Sequence, residues 1–218
     1  MIKYKTKLSD KFLNSNEKSY TMIVIINYGV GNIRSIQKAI EFIGSQAVIT
    51  RDVKVVKDAD GIILPGVGAF KTAMTNLKDF VEILEEVTVP ILGICLGMQL
   101  FATESEEGGL HKGLDLIPGR VVKFPESIGK IPHMGWNQIK IVKYHEILDG
   151  IEDNSYVYFV HSYYVKTHDK YIITKTNYGI DFASGIFTDN IIGFQFHPEK
   201  SGKVGLTILR NFLRMCKK

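Results

Sequence analysis

The strongest constraint on the fold is an alternation that begins at Met22 and continues to Cys95 and beyond. Short β-rich runs at Met22–Asn27, Gln46–Thr50, Gly61–Leu64 and Val89–Ile94 are separated by stretches with helical spacing. Ile33, Ile36, Gln37, Ile40 and Ile43 mark the apolar side of one helix, and Gly44 stands where a terminating C′ glycine belongs. Phe70, Ala73, Met74, Leu77, Val81 and Leu84 mark the next, after the loop Pro65-Gly66-Val67-Gly68. Strand and helix in alternation is the pattern of βαβ units, so a central, mostly parallel sheet flanked by helices is predicted.

The texture changes after about Leu110. Runs at Arg120–Phe124, Gln138–Val142, Tyr156–Val160, Tyr171–Thr176, Phe182–Phe187 and Ile191–Phe196 are separated by turn residues, which predicts antiparallel or mixed strands in the C-terminal half. A helix over Val204–Met215, with Val204, Ile208, Leu209 and Phe212 on one face, closes the chain. A length of 218 residues suits one α/β domain, predicted over residues 22–218.

Charge separates the first segment from the rest. Residues 1–21 carry five lysines against Asp10 and Glu17, which accounts for most of the formal net charge of +4. They read as a polar, basic arm without stable structure, and they lack an apolar signal-peptide core. The remainder is nearly neutral, so no phosphate-tracking nucleic-acid surface is expected, and no run is long and apolar enough to predict a membrane span. Two distant cysteines, Cys95 and Cys216, do not make a disulfide framework and suit a reducing cytoplasm. No His or Cys pair has zinc-ligand spacing, and Gly29-Val30-Gly31 lacks the third glycine of a dinucleotide loop, where Arg34 stands. Neither a metal nor a cofactor is expected.

Two segments carry chemistry. Gly93-Ile94-Cys95-Leu96-Gly97 follows a strand and precedes the helix-compatible stretch Met98–Thr103, so Cys95 is predicted at a tight strand-to-helix elbow with helical N–H groups aimed at its target. Gly193-Phe194-Gln195-Phe196-His197-Pro198-Glu199 is a strand running into His, Pro and Glu. If the extended path continues through Pro198, His197 and Glu199 point the same way and the carboxylate can orient the imidazole. The order nucleophile, base, acid differs from that of α/β-hydrolases, in which the acid precedes the histidine. Gln99, four residues beyond Cys95, can turn back toward the same pocket.

Gly-Ile-Cys95-Leu-Gly-Met-Gln99 and Phe-His197-Pro-Glu199 resemble the signatures of class I glutamine amidotransferases. Further segments resemble the members of that family that act as glutaminase subunits beside a separate synthase: Tyr28-Gly-Val-Gly-Asn32, Pro65-Gly-Val-Gly68, Pro132-His-Met-Gly-Trp136-Asn137, Phe159-Val-His-Ser162-Tyr163 and His197-Pro-Glu-Lys200-Ser201. The resemblance implies that Cys95, His197 and Glu199 hydrolyse glutamine to glutamate and ammonia. It implies oxyanion donors from the backbone around Val67 and Gly68 and from Leu96, with a peptide flip near Val67 as the switch. It implies glutamine contacts from Gly66, Gln99, His161, Ser162 and Tyr163.

The partner implied is a (βα)₈-barrel cyclase that uses the ammonia to form imidazole glycerol phosphate in histidine synthesis, met through Asn32, His133, Trp136, Tyr158 and Lys200. An alternative keeps the glutaminase and changes the synthase, for example to one acting on a surface-glycan sugar. A non-catalytic regulator and a cysteine peptidase are the readings of other classes.

Overall fold

A computed structural model describes residues 21–217. Apart from Thr21, the arm expected over residues 1–21 lies outside them. The chain runs through β1 (Ile23–Ile26), α1 (Ile33–Phe42), β2 (Ala47–Thr50), α2 (Val53–Lys57), β3 (Gly61–Leu64), α3 (Phe70–Leu77) and α4 (Val81–Glu86). It continues through β4 (Ile91–Ile94), α5 (Leu96–Leu100), β5 (Ala102–Ser105), β6 (His111–Lys112) and β7 (Ile117–Lys123). The last part holds β8 (His133–Ile141), β9 (Ser155–His161), β10 (Tyr163–Thr167), β11 (Ile172–Asn177), β12 (Asp181–Thr188), β13 (Ile191–Phe194) and α6 (Gly202–Met215).

Among the described residues, nine strands form one sheet in the order β2-β1-β3-β4-β13-β12-β11-β8-β9. The first five pair in parallel and the last four antiparallel. This is the predicted α/β architecture, with its change of character in the C-terminal half. A smaller sheet of four strands, β10-β7-β5-β6, stands beside it.

Strands β1, β3 and β4 are apolar and buried along their whole length because helices cover both of their faces. Ile23 and Ile25 of β1 pack toward Ile36 and Ile40 of α1 and Phe212 of α6, whereas Val24 and Ile26 pack toward Phe70 and Leu77 of α3 and Leu84 of α4. Gly44, with φ 83°, ends α1 as predicted: its N–H bonds Glu41 O at 3.0 Å and the Ser45 N–H reaches back to Ile40 O at 3.1 Å.

Four expectations need correction. The helix predicted from Phe70 to Leu84 is broken by a 3₁₀ turn at Lys78–Phe80, which buries Phe80 and Ile83 in place of Val81. The helix expected over Met98–Thr103 is the five-residue α5, because the carbonyls of Leu100, Phe101 and Ala102 accept from Leu114, Ile117 and Asp115 instead of continuing a helical ladder. Strands β5, β6 and β10 and helix α2 were not anticipated, and Ala102 and Thr103 of β5 lie in the stretch expected to be helix. Finally, the extended path does not continue through Pro198, since Pro198–Lys200 is a 3₁₀ turn closed by Lys200 N–H to His197 O at 3.0 Å.

Candidate active site

The C-terminal ends of β1, β3, β4 and β13, neighbours in the sheet, bring their following loops to one edge, where ligands of open α/β sheets are held. Cys95 follows β4 with φ 53° and ψ −106°, a conformation that costs a non-glycine residue about 1–3 kcal/mol. The surrounding packing enforces it. A Cβ on Gly97 would lie 1.8 Å from Leu64 O and one on Gly93 would lie 2.4 Å from the Phe101 ring, so only glycines let α5 press against β3 and β4. The Cys95 N–H bonds Phe194 O at 2.8 Å, tying the elbow to the strand that leads into His197.

His197 Nδ1 and Glu199 Oε1 are 2.8 Å apart, with both side chains almost completely buried. They meet through the turn at Pro198, not through strand alternation. Asn32 also donates to Glu199 Oε1, from a left-handed backbone position with φ 68° at the start of α1. Burial by itself would lower the His197 pKa, but Cys95 and Glu199 outweigh it and raise it to about 10. Its Nε2 finds no nitrogen or oxygen partner, nor does Glu199 Oε2. The imidazole is thus held at one nitrogen by a carboxylate and coupled to a sulfur, the arrangement of a base with its orienting acid.

The loop after β3 borders the elbow. Gly66 is buried, Val67 half-buried and Gly68 exposed. The Leu96 N–H, the predicted oxyanion donor, is 3.4 Å from Gly66 O and so is taken by the chain itself. The buried Tyr28 hydroxyl donates to the neighbouring Pro65 carbonyl. Its pKa is raised, chiefly by burial and further by Cys95.

Gln99 is buried, and its Nε2 donates to Tyr163 O at 2.9 Å and to Gln195 Oε1 at 3.1 Å. His161 Nδ1 donates to the same Tyr163 carbonyl at 2.8 Å, so both lone pairs of that oxygen are used within the chain. Burial, the chief influence on His161, keeps it neutral with a pKa lowered to about 3. Ser162 is half-buried, and its carbonyl accepts from Phe124 N–H at 3.0 Å.

One residue of this neighbourhood was missed. Gln195 is completely buried, and its Nε2 lies 3.6 Å from Cys95 Sγ. The available signal was a polar residue inside the run Gly193-Phe194-Gln195-Phe196, two positions before His197 and so on the same side of an extended chain.

The family model for class-I glutamine amidotransferases matches residues 11–216. The chain belongs to the class-I glutamine amidotransferases. It is 60% identical over 197 residues, 90% of this chain and 100% of the other, to the imidazole glycerol phosphate synthase subunit HisH of Archaeoglobus fulgidus. It is 51% identical over 199 residues, 89% of this chain and 98% of the other, to the subunit of that name in Methanosarcina barkeri. A solved glutamine amidotransferase from Thermotoga maritima has the same fold, with a TM-score of 0.70 at 16% identity over 91% of this chain and 99% of that one.

The amidotransferase is therefore an enzyme, and the residues expected to face a partner separate into two groups. Trp136 and Lys200 are exposed and Tyr158 half-exposed; the Trp136 and Tyr158 rings meet edge-on at 6.1 Å, and Lys200 Nζ stands 5.8 Å from the Tyr158 ring centre. Met134 and Tyr156 extend this apolar surface on β8 and β9. Asn32 is instead engaged with Glu199. His133 is buried, stacked between Phe159 at 4.7 Å and Tyr178 at 4.0 Å, with its Nδ1 3.0 Å from His161 Nε2. The resemblance implied a partner-facing residue, but alternation along β8 sets His133 on the side opposite Met134 and Trp136, where Phe159 of β9 and Phe182 of β12 pack against the ring.

Proposed function

We propose that this amidotransferase hydrolyses glutamine at Cys95 and delivers the ammonia to a (βα)₈-barrel cyclase subunit that forms imidazole glycerol phosphate in histidine synthesis. The observation that carries the reading is the 60% identity to a HisH subunit over that protein's full length. The Cys95 thiolate attacks the carboxamide carbon. His197 supplies the proton to the departing ammonia, leaving a γ-glutamyl thioester, and then takes a proton from the water that hydrolyses it to glutamate. Glu199 holds the imidazole in the required orientation throughout.

Ammonia freed into water becomes ammonium, which is no nucleophile, so the product needs an enclosed route to its acceptor. The surface formed by Trp136, Tyr158 and Lys200 is the face we assign to the cyclase. A reduced Cys95 is required, which suits the cytoplasm, and both described cysteines are free thiols. Among the described residues no helix is long and apolar enough to cross a membrane.

The donors of the oxyanion site decide when the reaction runs. With Gly66 O on the Leu96 N–H, the developing oxyanion has neither that donor nor the Val67 N–H, and each such donor contributes about 3 kcal/mol. Rotation of the Gly66–Val67 peptide would remove the carbonyl and bring in an N–H. The isolated chain is accordingly expected to hydrolyse glutamine slowly and to accelerate by about a hundredfold or more when the cyclase subunit and its ligand are added. Purified chain assayed for glutamate release with and without the cyclase tests this. Rapid partner-free turnover would remove the closed oxyanion site from the account, and no imidazole glycerol phosphate with the cyclase would remove the partner.

A further inference from the structure

Gln195 has no role in the reaction as described, yet its amide sits beside the nucleophile with no exposure to solvent. A buried amide left unpaired costs about 1–3 kcal/mol per group, so the partners on its two ends identify which end is which. Gln99 Nε2 lies 2.9 Å from Tyr163 O, and a carbonyl only accepts, so that atom of Gln99 is the nitrogen. The same nitrogen lies 3.1 Å from one end of the Gln195 amide, which must then be Oε1. The other end, Nε2, is left aimed at Cys95 Sγ, 3.6 Å away. A further contact of the sulfur, Val160 O at 3.9 Å, can serve only the protonated thiol, by accepting from it.

We propose that Gln195 is a positioning residue for the nucleophile: its amide, locked by Gln99, presents an N–H to Cys95 Sγ that favours thiolate over thiol. The inference rests on Cys95 being the nucleophile. A neutral donor of this kind acts alongside the titratable groups around the sulfur, which are His197 backed by Glu199, the buried Tyr28 phenol and, behind His197, the neutral His161. Unlike His197, it carries no proton that leaves during turnover, so its contribution persists through each step. A corollary concerns Gln99, whose two amide protons are both committed to protein oxygens, leaving only its Oε1 to meet glutamine.

The test is the pH dependence of Cys95 alkylation by iodoacetamide in the full chain, followed on the Cys95 peptide by mass spectrometry, with neither glutamine nor partner present. Cys216 does not interfere, being buried with its thiol pushed up to about 12, mainly by that burial. Gln195→Met removes the donor at similar volume, and the alkylation midpoint is expected to rise by about one pH unit, a tenfold loss of thiolate on the acid side. Gln195→Glu keeps the acceptor for Gln99 but sets a carboxylate oxygen against the sulfur, and a larger rise is expected. A merely structural Gln195 predicts a lower melting temperature in Gln195→Met with the alkylation midpoint of wild type.

In the complex with the cyclase, kcat for glutamine is expected to fall about tenfold in Gln195→Met while KM stays within about twofold. If Met at this position prevents folding, Gln195→Asn decides, because the amide shortened by one methylene stays neutral and withdraws its N–H from the sulfur, and the same rise in midpoint is expected. Superimposable alkylation profiles in wild type and variants, with a reactive Cys95, would overturn the proposal and leave the nucleophile intact. An inert Cys95 in the wild-type chain would overturn both.

Discussion

Two histidine environments lie side by side in this amidotransferase, and burial acts on them in the same direction with opposite results. His197 and His161 are both buried, and for both desolvation is the largest influence. His161 meets a backbone carbonyl and a second imidazole, His133, and its pKa drops to about 3; His133, for which burial is the cause, is lowered to about 4. His197 meets a sulfur and a carboxylate and rises to about 10. Burial penalises the charge in each case, and only an anionic partner within contact distance reverses the outcome. One environment suits proton transfer and the other suits a permanently neutral strut, although the sequence displays each simply as a histidine at the end of a strand.

The largest test of this contrast removes the sulfur. Cys95→Ala is expected to abolish glutamine-dependent imidazole glycerol phosphate formation, by about 10⁴-fold or more, while synthesis from added ammonium salts in the complex survives. Imidazole NMR of the same variant should show the His197 titration moving down from about 10, because the sulfur that helps raise it is gone. Loss of both activities together would show that ammonia production and ammonia use are not divided between subunits.

Glu199→Gln comes next. The amide still accepts from His197 Nδ1 but brings no charge, so His197 again titrates lower and glutamine-dependent turnover falls by about 10²-fold, with KM little changed. A KM effect alone would argue for a structural Glu199. Asn32→Ala, which strips a donor from the same carboxylate, should produce a smaller loss of the same kind, read as kcat at fixed saturation.

The smallest effect concerns stability. His133 and His161 have folded-state pKa values below the unfolded value of 6.5, so the unfolded chain binds more protons as pH falls below about 6.5. Stability contributed by keeping them neutral is complete above that pH and is lost progressively as pH falls toward 4 and then 3. His133→Gln preserves a donor for His161 Nε2 and removes one titrating group, so its melting temperature should fall less steeply with acidification than that of wild type. An unchanged slope would mean that His133 is solvated in the folded state.

The parallel strands β1 to β4 were legible because short aliphatic runs alternate there with helical spacing, whereas β13, which reaches the parallel part by a hairpin from β12, was not. Gly44 and the Cys95 elbow were legible for the same reason: each is a local backbone requirement written in adjacent residues. The broken helix at Lys78–Phe80, the short α5 and the second sheet were not, because their limits are set by which distant N–H groups claim a carbonyl or which neighbours have room for Phe80. Gln195 illustrates both sides. Its polarity inside an apolar strand was visible, but its significance depends on Gln99 and Cys95, about a hundred residues away in sequence.

By itself, the sequence determined the alternating architecture and the order in which Cys95, His197 and Glu199 arrive at one edge of the sheet, since those follow from local periodicity and turn chemistry. The tertiary structure decided the aromatic packing around His133, the Asn32 contact with Glu199 and the Gly66 carbonyl on the Leu96 N–H. The physical reason is that hydrogen bonds and desolvation depend on distances across the fold. A residue's chemistry is written locally, whereas its charge state and its partners are set by what the fold brings to within about 3 Å of it.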